Sequence, residues 1–239
     1  SGQQQFRHPG KIAVDTNDNV YVIDTGNRRI LSYDSNGNWR CTSSVINSGI
    51  WNSNFADIEI SLANQIVVTL EQTAQVYDTS CRVTQTVTHN VGSGPYAIDD
   101  NGKAYYYNTT SGTLSRYSST GVFGTVEKIE TNLPQKSNLG SPVDMEVDSS
   151  NRLYILSSTQ SRIYVYNSTT FDHLCIIGDG RGSSSRSGHL LDPKGFSVMG
   201  DKVYVADSSN NRIVKFLMST SCTGGASITG NPSFDGVYG

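Results

Sequence analysis

Apolar residues along the chain fall into short runs separated by polar ones, and the runs recur at a nearly fixed period. Aligning IAVDTNDNVYVIDTGNRRILSYD, MEVDSSNRLYILSSTQSRIYVYN and FSVMGDKVYVADSSNNRIVKFL, with weaker copies starting at Ile58 and Tyr96, puts Tyr33, Tyr77, Tyr117, Tyr166 and Phe216 in one column at spacings of 44, 40, 49 and 50 residues. Self-similarity at this period marks a repeat architecture. Each copy holds three runs rich in Val, Ile and Tyr between Asp, Asn and Gly turn signals, and a weaker fourth run follows, as in Trp39–Val45, so each predicts four antiparallel strands. No segment sustains a capped 3.6-residue apolar period, so helices are expected to be few or absent. A lone four-stranded sheet leaves apolar faces open, and radial packing of such sheets as propeller blades covers them. The fold class is therefore read as all-β, a β-propeller of four-stranded antiparallel blades, five in number with six as the alternative. It forms a single domain, 1–239, with repeats at about 6–45, 46–90, 91–130, 131–178 and 179–230 and a tail at 231–239.

The first strand of each repeat places Ile12, Ile58, Tyr96, Met145 and Phe196 in one column and Val14, Ile60, Ile98, Val147 and Val198 in the next-but-one. Both columns are expected in the core. Asp15, Asp99 and Asp148 open the turn that follows. An Asp there bonds to backbone N–H groups two residues on and closes a tight reversal, so these acids are read as structural.

The strings HPGKIAVDTNDNVYVIDTGNRRILSYD and DPKGFSVMGDKVYVADSSNNRIVKF closely resemble the NHL repeat, and GDGRGSSSRSGHLLDP resembles the Gly-rich connection that precedes an NHL strand. The fourth repeat matches through Arg162-Ile163, and the second and third mainly by strand pattern. The resemblance implies a β-propeller with Arg29, Arg162 and Arg212 just before the third strand. It also implies an Arg–Asp pair across that loop where Asp24 and Asp207 are present. NHL propellers commonly have six blades. Here the columns number five, and the chain flanking them supplies one further interval rather than two.

The enzymatic relative implied by the resemblance is a peptidyl-α-hydroxyglycine lyase, which carries a His-bound zinc on NHL-like repeats. His8, His89 and His189 all lie in connections leading into a first strand, and three imidazoles with an open position make a catalytic zinc site. Their offsets from the following Pro disagree, however, and Gly10 and Lys194 stand where the lyase pattern has ligands. A second constellation is Asp57-Ile58-Glu59 with Asp144-Met145-Glu146, in equivalent columns of the second and fourth repeats. Such carboxylates bind Ca²⁺ or act as an acid and base when their environments differ, or else they are bonded to backbone and neighbouring cations as buried charges require. No phosphate loop, nucleophile elbow or metalloprotease motif is present. The reading leans away from an enzyme and assigns no cofactor, Zn²⁺ or Ca²⁺ being the ions to test.

Composition narrows the setting. Charged residues make up 16% of the chain against about a quarter in an average soluble protein, so neutral Ser, Thr, Asn and Tyr provide much of its polarity. A net charge of −3 offers no general attraction to phosphate backbones, so nucleic acid is not an expected partner. No apolar run is long enough to span a bilayer, and Ser1-Gly2-Gln3 lacks signal-peptide features, so the sequence reads as a mature or excised segment. Cys41, Cys81, Cys175 and Cys222 follow the third strand of their repeats and none forms a C-x-x-C pair. They suit two disulfides, Cys41–Cys81 with Cys175–Cys222 among three connectivities, with free thiols as the alternative. Sequons begin at Asn108 and Asn167, both in expected loops where a glycan is accommodated. Together these features point to an extracellular or cell-surface glycoprotein that serves as a protein or glycan interaction and scaffold module, with self-association into a larger assembly as a further expectation. Its recognition would come from loops of unequal length, Ile46 to Asn54, Glu130 to Ser141 and Asp179 to Asp192, aided by Trp39, Trp51 and the run Tyr105-Tyr106-Tyr107, whose alternate tyrosines are expected in the core. The rivals are a metal-dependent extracellular lyase or hydrolase and, more weakly, an RNA-binding NHL domain.

Overall fold

A computed structural model describes residues 5–46, 57–61, 64–69, 73–88, 94–118, 124–181, 188–218, 222 and 226–228. The first sheet is β1 (Pro9–Val14), β2 (Val20–Asp24), β3 (Arg29–Tyr33) and β4 (Trp39–Thr42). The second is β5 (Asp57–Ile60), β6 (Ile66–Thr69), β7 (Thr73–Tyr77) and β8 (Val83–Thr88), and the third is β9 (Tyr96–Ile98), β10 (Ala104–Asn108), β11 (Thr113–Tyr117) and β12 (Val126–Glu130). A one-turn helix, α1 (Lys136–Leu139), precedes the fourth sheet of β13 (Pro142–Val147), β14 (Arg152–Ser157), β15 (Arg162–Asn167) and β16 (His173–Ile177). The short pair β17 (Gly180–Arg181) and β18 (His189–Leu190) leads into the fifth sheet, of which β19 (Gly195–Met199), β20 (Lys202–Asp207) and β21 (Arg212–Leu217) are described. β22 (Ala226–Ile228) adds in parallel to the outer edge of β16, which makes the fourth sheet five-stranded. Strands within each blade follow one another as antiparallel neighbours, and the fold is an all-β, five-bladed β-propeller.

The chain divides into two compact units, Ser1–Thr110 with Arg116–Lys128, and Ser111–Ser115 with Ile129–Gly239. In the first unit, Tyr21, Ile23 and Ile30 of one blade meet Ile58, Ile66 and Val68 of the next. Val67, Ala74 and Val76 then meet Tyr96, Ala104 and Tyr106. In the second, Tyr154, Leu156, Ile163 and Val165 pack on Val203, Val205, Val214 and Phe216. Middle strands such as β6 and β14 are therefore buried on both faces, which is why they read as continuous apolar runs.

Two expected core residues depart from that scheme: Ile12 is 61% and Val14 53% exposed. The equivalent residues Ile58, Tyr96 and Phe196 pack against the preceding blade of their own unit. On the fifth blade Met199, Ile213 and Leu217 are exposed as well. The turn acids behave as their sequence implied. Asp15 Oδ1 accepts the N–H groups of Asn17 and Asn19, both at 2.9 Å, and Asp99 and Asp148 repeat this with Asn101/Lys103 and Ser150/Arg152. In each case the second oxygen accepts a hydrogen bond from the hydroxyl of Tyr21, Tyr105 or Tyr154 on the next strand, so turn and core are locked by one side chain. Burial works to raise the Asp15 pKa, yet the bonds from Asn19, Asn17 and Tyr21 hold it below the ordinary value.

Candidate functional site

The paired Asp-x-Glu strings sit on innermost strands, and in the second unit their partners are visible. Asp144 Oδ2 accepts the Phe196 N–H at 3.0 Å and Glu146 Oε2 accepts the Val198 N–H at 2.9 Å. Alternate N–H groups along β19 point at the neighbouring blade, where no backbone ladder can reach them, and carboxylates two residues apart on β13 meet that spacing. An aspartate followed two positions later by a glutamate is thus a side-chain seam between blades. Burial pushes the Glu146 carboxyl up to about 7, the charges of Asp144 and Asp148 adding to this and the Val198 N–H opposing it. In the first unit Asp57 is buried, with Lys11 Nζ 3.8 Å from its Oδ1. There the fully buried Tyr96 phenol is raised well above its ordinary pKa by burial and by the charges of Glu59 and Asp57.

The loops before β3 and β21 carry a second device. Asp24 Oδ2 takes Arg29 Nε at 2.8 Å and Asn27 Nδ2 at 2.7 Å, while its Oδ1 accepts the Arg7 N–H and Arg29 Nη2 donates to the Gln5 carbonyl. Asp207 copies it with Arg212 Nε at 2.7 Å, Asn210 and the Leu191 N–H, and Arg212 Nη2 donates to the His189 carbonyl. Each Asp is fully buried and ties the entry segment of its blade to the β2–β3 or β20–β21 connection. The fourth blade has Ser157 in place of the Asp. Thr159 there accepts the Ser141 N–H instead, Arg162 Nη2 donates to the Asp179 carbonyl, and Arg162 Nε is buried with no hydrogen bond.

His8 is exposed on a left-handed residue (φ 50°), and His189 spends its carbonyl on Arg212; His89 lies outside the described residues. No group of three His, Cys, Asp or Glu suited to a metal occurs among the described residues. Asp144 and Glu146 each give one oxygen to a backbone donor of β19. Disulfides join Cys41 on β4 to Cys81 and Cys175 on β16 to Cys222, with Cα separations of 5.9 and 5.3 Å. One bridge connects adjacent blades; the other ties the chain leaving the fifth blade to the fourth. Asn108 and Asn167 both accept turn N–H groups, from Thr110 and from Thr169 and Thr170.

Tyr105, Tyr106 and Tyr107 are all buried, at 2, 1 and 3% exposure. None is therefore an exposed anchor, because β10 is a middle strand covered on both faces. Trp39 is 42% exposed, Trp51 lies outside the described residues, and so does most of the stretch from Ile46 to Asn54 and the middle of that from Asp179 to Asp192. The remaining long connection, residues 131–141, lies wholly among the described residues. Leu133 and Leu139 are buried beneath it. Tyr164 donates its hydroxyl to the Asn138 carbonyl at 2.7 Å, and Tyr166 to the Pro134 carbonyl at 2.8 Å. Lys136 Nζ closes it on the Thr131 and Ser111 carbonyls. Asn132, Pro134, Gln135, Ser137 and Asn138 are left exposed on a fixed backbone.

The NHL repeat family matches residues 6–33 and 190–216, the two segments that carry the complete Asp–Arg–Asn device. The chain carries NHL repeats at these two positions on a five-bladed β-propeller. No curated protein matches this NHL propeller by sequence. Among solved structures it is similar to a chain of a nidogen/laminin complex, at 16% identity and a TM-score of 0.65, covering 92% of this chain and 84% of that one. It is also similar to a streptogramin B lyase, at 14% identity and a TM-score of 0.64, covering 89% and 66% of the two chains. A catalytically inactive virginiamycin B lyase from Staphylococcus aureus, with quinupristin, gives 15% identity, a TM-score of 0.64 and coverage of 90% and 69%. These likenesses establish the fold of the NHL propeller.

Proposed function

We propose that this NHL propeller is an extracellular recognition module that binds a protein partner through the connection at residues 131–141. The observation that carries the reading is the pre-organisation of that connection: two tyrosine hydroxyls and two buried leucines fix its backbone before any partner arrives, which reduces the ordering cost of binding. Two disulfides support an oxidising compartment, and in this reading Asn108 and Asn167 carry glycans. The similar chain from a nidogen/laminin complex supports a protein partner. The acids and arginines singled out in the sequence serve the blades. The test is affinity capture from extracellular fluid with the oxidised protein, beside a variant in which residues 132–138 are replaced by a Gly/Ser segment of equal length. The proposal expects one stoichiometric protein retained by the first and lost by the second. Equal retention by both, or none by either, overturns it.

A further inference from the structure

We infer that a cavity on the first blade is a binding site for an anionic sugar ring, separate from the connection at residues 131–141. The cavity, about 450 Å³, is lined by Arg29, Trp39, Arg40, Cys41 and Thr42, a volume in the range of small-ligand sites. Its parts are held in place from behind. The Cys41–Cys81 bridge fixes β4 to the neighbouring blade, and the Trp39 indole Nε1 donates to Thr42 Oγ1 at 3.1 Å, which orients a ring that stays 42% exposed. Arg40 Nη1 donates to the Tyr21 hydroxyl at 3.1 Å and to Ser32 Oγ at 3.3 Å, and Tyr21 in turn donates to Asp15. The guanidinium is thereby aimed while the residue remains exposed.

Charge decides the ligand class. Arg29 is neutralised by Asp24 and belongs to the wall. Asp34, whose oxygens accept bonds from Asn38 and Asn36, has its carboxyl held below its ordinary pKa by those bonds and by the Arg40 charge. One aimed guanidinium beside one exposed indole face matches a pyranose bearing a single carboxylate. The flat apolar face of the ring lies on the indole, the carboxylate takes the arginine as a charge-assisted pair, and ring hydroxyls reach Thr42. A polyphosphate or nucleic acid would need several such cations, which this wall lacks.

The test is a titration of the oxidised protein with a tetrasaccharide of alternating glucuronic acid and N-acetylglucosamine, followed by saturation-transfer NMR and calorimetry. Its carboxyl-reduced analogue and hexaglutamate serve as comparison probes. The expected result is saturable binding of the acidic tetrasaccharide, weakened about tenfold or more in Trp39→Ala and in Arg40→Gln, as for interface residues of these types, and retained in Trp39→Phe. The reduced analogue binds more weakly. Absence of saturable binding, full binding by Trp39→Ala, or hexaglutamate binding as tightly as the sugar overturns the inference. Thermal unfolding at the wild-type midpoint in Trp39→Ala, whose side chain lies outside the core, separates lost binding from lost fold.

Discussion

Replacing Glu146 with Gln tests the seam between the fourth and fifth blades. The glutamate is mostly enclosed between β13 and β19, faces Asp144, Asp148, Ser197 and the Val198 N–H, and titrates at about 7 instead of its ordinary 4.5, first because of burial and then because of the two neighbouring acids. Carrying a carboxyl over that interval, at about 1.4 kcal/mol per pH unit, links about 3 kcal/mol of stability to its protonation. The sign follows from the raised value. Below about pH 4.5 both folded and unfolded chains hold the proton and the contribution is fully present. As pH rises toward 7 the unfolded chain has released the proton while the folded one retains it, so stability declines and the loss is complete once the folded group ionises. His173 contributes with the opposite sign, because burial lowers its pKa, so the decisive quantity is the difference between wild type and variant. Glutamine keeps an oxygen for the Val198 N–H and carries no titrating proton. Urea unfolding at half-unit steps from pH 4.5 to 8.5 should show the wild type losing up to about 3 kcal/mol relative to Glu146→Gln across that window. Parallel profiles for the two proteins, or a wild type that gains on the variant as pH rises, would refute the reasoning.

Other perturbations follow from the same geometry. Asp207→Ala leaves Arg212, whose side chain is only 4% exposed, without its carboxylate and strands the Leu191 N–H, so a loss of about 3–5 kcal/mol is expected in chemical denaturation. Removing the Cys175–Cys222 bridge by Cys→Ser at both positions frees a 47-residue separation and should cost about 2–4 kcal/mol, read as a lower unfolding midpoint that no longer responds to reductant at that bridge. Tyr164→Phe and Tyr166→Phe each delete one hydroxyl bond to the 131–141 backbone and should cost about 1 kcal/mol. Faster amide exchange confined to that connection is the signature that distinguishes loosening there from general destabilisation.

The blade pattern was legible because middle strands such as β6 and β14 are buried on two faces and three of the turns begin with an Asp that has one geometric task, so the period and the Asx turns could be read from residue spacing, and the Asp24–Arg29 and Asp207–Arg212 pairs from the resemblance to the NHL repeat. The exposure of Ile12 and Val14 could not, since a column says which way a residue faces but not how far it is covered. Asp144 and Glu146 read as ligands, as an acid–base pair or as acids bonded to backbone. Only the positions of the Phe196 and Val198 N–H groups, 52 residues away in sequence, show them as a seam. Tyr164 and Tyr166 lie in an apolar run, and nothing in their spacing signals that their hydroxyls reach back to Asn138 and Pro134.

The most direct measurement of the central claim is amide hydrogen exchange of the oxidised protein, alone and saturated with the partner recovered by capture. The account predicts that exchange in the free protein is already slow at the amides of the 131–141 connection and slows further there on binding, with the blade cores unchanged. A footprint elsewhere that leaves this connection untouched, or rapid exchange through it in the free protein, would contradict the account.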